Sequence, residues 1–204
     1  MNPVFNYISD HAWYAIWHSD LSASDLEKDF GEKLPAEIMN YHPAKKIEYL
    51  ASRILMRKLC EYADIPYNGI VKDENGKPHL MSSPYFISIS HSYPYVVCML
   101  DKNNHCGIDI EAPRIQLLKI KHKFLNQHEL LETGEDLHLL SQYWSAKEAL
   151  YKIHGKKNLI FSEEIHVEQK SSNGFLGTIN TKACQETYSL VSKKIDEHFI
   201  VYNE

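Results

Sequence analysis

The chain has 204 residues, of which 44% are hydrophobic and 24% are charged, and its formal net charge is −5. These proportions are typical of a globular protein with one sizeable core or two smaller lobes that share an interface. A negative net charge argues against general nucleic-acid binding, which normally needs a basic face. The sequence has neither a signal-peptide pattern nor an apolar run of about 20 residues, so we expect no membrane span and a cytoplasmic location.

The first part of the chain predicts a sheet with helices inserted between its strands. We expect strands at 12–18, 70–72, 78–80, 86–90 and 95–100, and helices at 21–30, 35–41 and 43–62. Pro43 suits the first position of the long helix. Asn75 and Gly76 favour a tight turn between two short strands, which puts Lys77 at an exposed hairpin tip or shoulder.

A polar Ser90-His91-Ser92 segment follows the alternating strand at 86–90. If it forms an exposed turn, its backbone N–H groups and a protonated imidazole suit an anion. A hydrogen-bonded turn histidine is the alternative interpretation of His91.

The cluster Asp101-Lys102-Asn103-Asn104 predicts a turn and a boundary between two halves, 1–101 and 102–204. The second half repeats the order of the first: a strand, then helices, then strands. We expect strands at 106–111, 164–168, 175–179, 188–192 and 198–202, and helices at 117–125, 127–133 and 136–154. The sequence therefore predicts an α+β fold.

Two stretches in the second half carry the strongest chemical signal. In the strand at 107–111, Asp109 and Glu111 alternate with isoleucines, so both carboxylates lie on one face. In the helix, Glu148 and Lys152 share a polar stripe opposite an apolar one. If the polar faces meet, three carboxylates and a lysine suit Mg²⁺ holding a phosphate, which indicates phosphoryl-transfer chemistry. A solvated strand face and an ordinary surface ion pair are the alternatives.

The order of four motifs resembles that of the 4′-phosphopantetheinyl transferase superfamily. The motifs are Gly-Lys-Pro, Ile-Ser-His-Ser, Gly-Ile-Asp-Ile-Glu and Trp-Ser-x-Lys-Glu-x-x-x-Lys, between residues 76 and 152. The resemblance is greatest to the longer, surfactin-synthetase-activating type. It implies the phosphopantetheinyl transferase fold, in which two similar α+β halves form a monomeric pseudo-dimer with coenzyme A at the seam.

The resemblance also implies a role for particular residues. Mg²⁺ would be bound by Asp109, Glu111 and Glu148. Coenzyme A would be contacted by Ser90 and His91 at its phosphates, by Lys77 near the nucleotide, by Lys152 at the pyrophosphate, and at the 3′-phosphate by Arg53 or else Lys46, with Lys45 and Arg57 in the same segment.

For catalysis, Glu148 is the first candidate for the general base, and Lys152 would offset charge on the leaving group. Glu129 matches a family pattern and is a second candidate base or ligand. A plain carboxylate at a helix N-terminus explains Glu129 about as well.

The implied activity is transfer of 4′-phosphopantetheine from coenzyme A to a serine of an acyl or peptidyl carrier protein, with release of 3′,5′-ADP. A non-catalytic relative that binds coenzyme A or a carrier is one alternative, and a different Mg²⁺-dependent phosphoryl-transfer enzyme is another. The second predicts a nucleotide-binding loop that the sequence lacks. The basic run with Lys119, Lys121 and Lys123 is a plausible dock for an acidic carrier or simply a solvated helix face.

Overall fold

The computed structural model describes residues 2–31 and 33–204. Its elements up to residue 101 are β1 Val4–Ser9, β2 Ala12–His18, α1 Ala23–Phe30, α2 Ala36–Met39, α3 Pro43–Tyr62, β3 Ile70–Lys72, β4 Pro78–Leu80, β5 Phe86–Ser92 and β6 Tyr95–Asp101. The later elements are β7 Ile108–Glu111, α4 Gln116–Phe124, α5 Gln127–Thr133, α6 Leu137–His154, α7 Phe161–Glu164, β8 Ile165–Gln169, β9 Gly174–Asn180, β10 Gln185–Ile195 and β11 His198–Asn203. The predicted α+β class is confirmed.

Three differences from the predicted elements concern their number and ends. β1 and the short α7 were not predicted. β1 forms an antiparallel hairpin with β2, and most of its residues are only partly buried, so its sequence lacks a clear alternation. The Ser-His-Ser segment was expected to be a turn, but it continues β5, since Ser90, His91 and Ser92 pair with β6 and the chain reverses at Tyr93 and Pro94.

The strands form two main sheets and a separate hairpin. The first sheet has the order β1-β2-β6-β5, the second has the order β7-β11-β10-β9-β8, and β3 pairs with β4 alone. The long helix α3 packs on the first sheet and α6 packs on the second.

β6 shows why the two sheets stack on one another. All seven of its residues are buried. Val96, Cys98 and Leu100 belong to the core under α3. The alternate residues, such as Val97 and Met99, belong to a separate core that the second sheet completes. A strand that is buried on both faces has a nearly continuous apolar sequence. β6 and the first sheet thus form the middle layer between α3 and the second sheet.

The ends of the two long helices follow from local signals. α3 begins at Pro43, as predicted, and His42 caps it by accepting a hydrogen bond from Ala44 N. α6 is capped by Asp136, and it ends at Gly155, whose φ of 70° lies in the left-handed region. These caps fix the limits of the helix that carries Glu148 and Lys152.

Gly107 sets how closely α6 approaches the second sheet. A Cβ at this position would lie 2.1 Å from the backbone oxygen of Ala149, so no larger residue fits without moving the helix. The next residues of β7 are Ile108 and Asp109. The glycine therefore determines the distance between the carboxylates of β7 and the polar stripe of α6.

Cys60 and Cys98 are buried thiols of the first core, and all four cysteines are free. Within the described ranges, the structure contains no helix that is both long and apolar enough to cross a membrane.

Candidate active site

The carboxylates predicted from β7 and α6 lie in one group. Asp109 is buried, and its Oδ1 accepts hydrogen bonds from Ser90 Oγ at 2.6 Å and Lys152 Nζ at 2.7 Å. Lys152 Nζ also donates to Ile108 O at 2.9 Å. The lysine that follows Glu148 by one helical turn therefore spans from α6 to β7.

The pKa values of the other two carboxyl groups show how crowded the negative charge is. Burial, together with the charges of Asp109 and Glu111, raises the pKa of Glu148 to about 7 against the opposing effect of Lys152. Burial also raises the pKa of Glu111, which Arg114 opposes through an ion pair of 2.9 Å. Asp109 raises the pKa of both groups, and Glu111 raises the pKa of Glu148. A cation placed among the three carboxylates would therefore relieve their repulsion.

The three carboxyl groups suit a hard divalent cation chemically, because such cations prefer oxygen ligands and these oxygens are partly buried. Among residues 2–31 and 33–204, however, no group of three or more His, Cys, Asp or Glu side chains is arranged to hold a metal ion. Asp109 bonds to Ser90 and Lys152, and Glu111 bonds to Arg114. The role of Asp109, Glu111 and Glu148 as ligands of Mg²⁺ thus stays a prediction.

A cavity of about 700 Å³ lies beside this group. It is bounded by α3, the β3–β4 hairpin, β5 and the C-terminal end of α6. Its cationic side chains are Lys45, Arg53, Lys72, Lys77, Lys152 and Lys156, and its carboxylates are Glu37 and Glu48. A cavity with this excess of positive charge, in a chain with net charge −5, is suited to a ligand with several negative charges.

One face of α3 supplies a wall of the cavity. The Arg53 guanidinium lies 3.7 Å from the centre of the Tyr49 ring and donates to Ser52 Oγ at 3.0 Å. His91 Nδ1, from β5, lies 3.5 Å from Glu48 Oε1. Two of the predicted contacts to coenzyme A, Arg53 and His91, therefore line the cavity, and Arg53 is held in a fixed orientation by stacking.

Lys46, the second choice for the 3′-phosphate, is not among the residues that line the cavity. Its Nζ forms an ion pair of 2.5 Å with Glu27. Arg57 donates to the backbone oxygens of Asp29 and Phe30, so it ties α3 to the end of α1. Lys46 and Arg57 lie seven and four positions from Arg53, so helical spacing alone does not separate them from it, and their contacts with α1 do.

Ser90 was expected at an exposed strand end, but it is buried, with only 8% of its surface exposed. Its hydroxyl donates to Asp109 instead of facing the cavity. The neighbouring Ser88 Oγ accepts from Ile108 N at 3.0 Å, so alternate serines of β5 hold β7. The expectation was wrong because the strand continues past Ser90.

Lys77 also differs from its expected exposed position. The hairpin turn is where the sequence predicts it, but the lysine is half-buried, and its Nζ donates to Ile153 O at 2.9 Å. The side chain thus reaches the last turn of α6, a contact between residues 76 positions apart.

Glu129 is buried and lies in a capping box at the start of α5 with Asn126. Its oxygens also accept from Val167 N at 2.8 Å and from the fully buried Lys147 Nζ at 2.7 Å. Burial lowers the pKa of Lys147, and the charge of Glu129 opposes that shift. The structure therefore favours the alternative interpretation of Glu129, a carboxylate at a helix N-terminus.

Several cavity residues have no counterpart among the predicted ones. Glu48 and Tyr49 share a helix face with Lys45 and Arg53, so the helical period could have identified them. Lys72 and Lys156 have no such signal, because they meet only when the hairpin folds onto the end of α6.

Comparison with known protein families gives a match in the second half of the chain. Residues 105–202 match the family model described as the 4′-phosphopantetheinyl transferase superfamily. The match covers slightly less than half of the chain, and it includes Asp109, Glu111, Glu148 and Lys152. It supports the superfamily and, in general terms, a transferase of phosphopantetheine. No curated protein matches the chain.

Proposed function

We propose that the protein transfers the 4′-phosphopantetheine moiety of coenzyme A to a serine hydroxyl of an apo-acyl or apo-peptidyl carrier protein and releases 3′,5′-ADP. The observation that carries this proposal is that Lys152 belongs both to the cavity and to the carboxylate group. Its side chain lines the basic cavity, and its Nζ binds Asp109 in the carboxylate group. A ligand that binds Lys152 from the cavity would thus lie next to those carboxylates, which would hold Mg²⁺ in the proposed complex.

Coenzyme A fits the charge of the cavity, since it carries a pyrophosphate and a 3′-phosphate. In the proposed complex Arg53 and His91 bind phosphate oxygens, and Lys152 binds the pyrophosphate. Arg53 is well suited to this task, because its stacking on Tyr49 reduces the entropy lost when it binds a phosphate.

In the proposed reaction the serine oxygen attacks the phosphorus that bears the pantetheine. A new P–O bond to serine forms, and the bond from that phosphorus to the bridging oxygen breaks. The serine proton passes to Glu148, and 3′,5′-ADP leaves with the electron pair of the broken bond.

Lys152 would stabilise the charge that grows on the departing 3′,5′-ADP. Asp109, Glu111 and Glu148 would hold Mg²⁺, which when bound supplies charge neutralisation at the pyrophosphate. Ser90 would keep Asp109 oriented through its hydrogen bond of 2.6 Å.

The proposed carrier docks on α4. Lys119 and Lys123 of this helix are exposed, whereas Lys121 donates to Gly134 O and ties α4 to the end of α5. The first two are free to meet an acidic partner. We further propose the surfactin-synthetase-activating type, working in the cytoplasm as a monomer with halves 1–101 and 102–204.

Incubation with coenzyme A, Mg²⁺ and a panel of apo-carrier proteins tests the proposal, with intact mass as the readout. We expect a carrier to gain one phosphopantetheine in the presence of Mg²⁺ and none in its absence. Binding of coenzyme A without modification of any carrier would indicate a non-catalytic relative. Replacement of coenzyme A by a nucleoside triphosphate, with transfer of phosphate, would indicate a different phosphoryl-transfer enzyme.

A further inference from the structure

The β3–β4 hairpin and the C-terminal end of α6 form adjoining walls of the cavity and are joined by two reciprocal bonds. Lys77 Nζ, on the hairpin, donates to Ile153 O at 2.9 Å. Lys157 Nζ, after α6, donates to Glu74 O at 3.0 Å. In each wall, therefore, a lysine donates a hydrogen bond to a backbone oxygen of the other wall.

The two bonds differ in their surroundings. The Lys77 bond is partly buried and the Lys157 bond is exposed. Ile153 O belongs to the last turn of α6, where backbone oxygens lack partners within the helix and the helix dipole favours a cation. Burial lowers the pKa of Lys77, so the ammonium group depends on this acceptor to offset its desolvation.

Gly155 makes room for this contact. A Cβ at Gly155 would lie 2.6 Å from Lys77 Cδ and 3.1 Å from its Nζ. The glycine that ends α6 in the left-handed conformation thus also admits the lysine to the end of the helix.

The acceptor of Lys77 directly follows Lys152 in the chain. Lys152 Nζ binds Asp109 Oδ1 and Ile108 O, so its long side chain can span the gap to β7 only if its backbone is held in place. We propose that Lys77 is a positioning residue, which acts on the transfer reaction through Lys152 by fixing the last turn of α6. This inference rests on the proposed function, and it differs from the contact near the nucleotide of coenzyme A that the resemblance implied for Lys77.

A double-mutant cycle separates positioning from ligand binding. The variants are Lys77→Met, Lys152→Ala and the combination of the two. Lys157→Met is the control for a lysine–carbonyl bond between the same walls, and Lys72→Met is the control for the loss of one positive charge from the cavity. The measurements are kcat and KM for transfer and the Kd of coenzyme A in metal-free protein by calorimetry.

We expect Lys77→Met to lower kcat about tenfold, the scale of one lost hydrogen bond to a charged group. Its effect on the Kd of coenzyme A should not exceed that of Lys72→Met, and it should cost nothing further when Lys152 is already alanine. Amide hydrogen exchange at residues 152–156 of the metal-free protein should be faster in Lys77→Met and unchanged in Lys157→Met.

A larger Kd with unchanged kcat would show that Lys77 contacts the ligand instead, and additive losses in the double variant would show that it acts independently of Lys152. Unchanged exchange in Lys77→Met would also overturn the inference. If the wild type neither binds coenzyme A nor modifies a carrier, the proposed function fails, and the exchange measurement still decides whether Lys77 holds the last turn of α6.

Discussion

The proposed chemistry of this protein depends on a few charged side chains that are crowded together in a partly buried region. Three carboxyl groups share a half-buried region with the ammonium group of Lys152, and the pKa of Glu148 rises to about 7 as a result. In water the same groups would repel one another only weakly, because a high dielectric constant screens their charges. The proposed reactivity of these carboxyl groups and their proposed affinity for a cation therefore arise from burial.

The carboxylates provide the first prediction. Glu148→Gln and Asp109→Asn keep side-chain size but remove a negative charge, so both should lose Mg²⁺ affinity and transfer activity while they remain folded. Titration calorimetry with Mg²⁺, transfer assays and circular dichroism would measure the three properties. Near-normal transfer by either variant at ordinary Mg²⁺ concentrations would contradict the proposed ligand group.

The raised pKa of Glu148 predicts how stability depends on pH in the metal-free protein. The ordinary value is 4.5 and the folded value is about 7, so the unfolded protein releases this proton at lower pH than the folded one. The contribution of Glu148 to stability is present below pH 4.5 and is lost as the pH rises through 7.

We therefore expect Glu148→Gln to match the wild type near pH 4.5 and to exceed it above pH 7. The difference in free energy of unfolding should reach about 2 kcal/mol, after allowance for partial exposure of the side chain. Urea denaturation in the presence of EDTA, repeated across this pH range, measures it. A constant difference at all pH values would mean that Glu148 titrates normally.

The cavity residues allow a test of the phosphate contacts. Arg53→Ala and His91→Ala should each raise the KM for coenzyme A about tenfold or more, since a charge-assisted contact to phosphate is lost. Lys46→Ala is the matched control, because Lys46 is paired with Glu27 and does not line the cavity. Whichever residue binds the 3′-phosphate should lose this effect when dephospho-coenzyme A is the substrate, and equal losses on both substrates would exclude that residue.

At the scale of elements, close packing between α6 and the second sheet determines where the functional side chains meet. Gly107 admits the backbone of Ala149, and Gly177 of β9 admits the side chain of Leu150. Ser88 and Ser90 hold β7 from the other side through hydrogen bonds. The strand with Asp109 and Glu111 is thus fixed between an element of the first sheet and the helix with Glu148.

These glycine contacts predict that alanine destabilises the protein to a different extent at each position. A Cβ at Gly107 would lie 2.1 Å from a backbone oxygen, whereas a Cβ at Gly177 would lie 2.6 Å from a movable methyl group of Leu150. Gly107→Ala should therefore lower the free energy of unfolding by about 3 kcal/mol, and Gly177→Ala by about 1 kcal/mol. Urea denaturation measures both; equal costs would show that α6 can move away from β7.

At the scale of the whole molecule, charge is distributed unevenly. The chain has a net charge of −5, yet among the described residues the cavity is lined by six cations against two carboxylates, and α4 presents the exposed Lys119 and Lys123. An acidic protein can meet an acidic carrier productively only where its surface is locally basic.

Reversal of Lys119 and Lys123 to glutamate tests the carrier dock. We expect a higher KM for the carrier and a weaker dependence of that KM on salt, because exposed charges act mainly on association and are screened. The KM for coenzyme A should not change. Lys182 and Lys194, exposed elsewhere, give a control with the same change in net charge. Normal modification of the carrier at low ionic strength would place the dock elsewhere.

The sequence by itself determined the features that depend on local order. The period of two puts Asp109 and Glu111 on one face of β7, and the period of 3.6 puts Glu148 and Lys152 on one stripe of α6. Local signals likewise predicted the start of α3 at Pro43 and the turn of the β3–β4 hairpin. These signals operate within a few residues, so they can be read without knowledge of the fold.

The tertiary structure decided which of these residues meet. Arg53 lines the cavity and Lys46 does not, although both belong to α3. Ser90 supports Asp109, Glu129 binds Lys147, and Lys77 reaches the end of α6. Each of these contacts joins segments that are 18 or more positions apart, and the partner of a polar side chain at such a separation depends on how helices and sheets pack. Local periodicity fixes the face on which a side chain lies, but burial and packing select its partner.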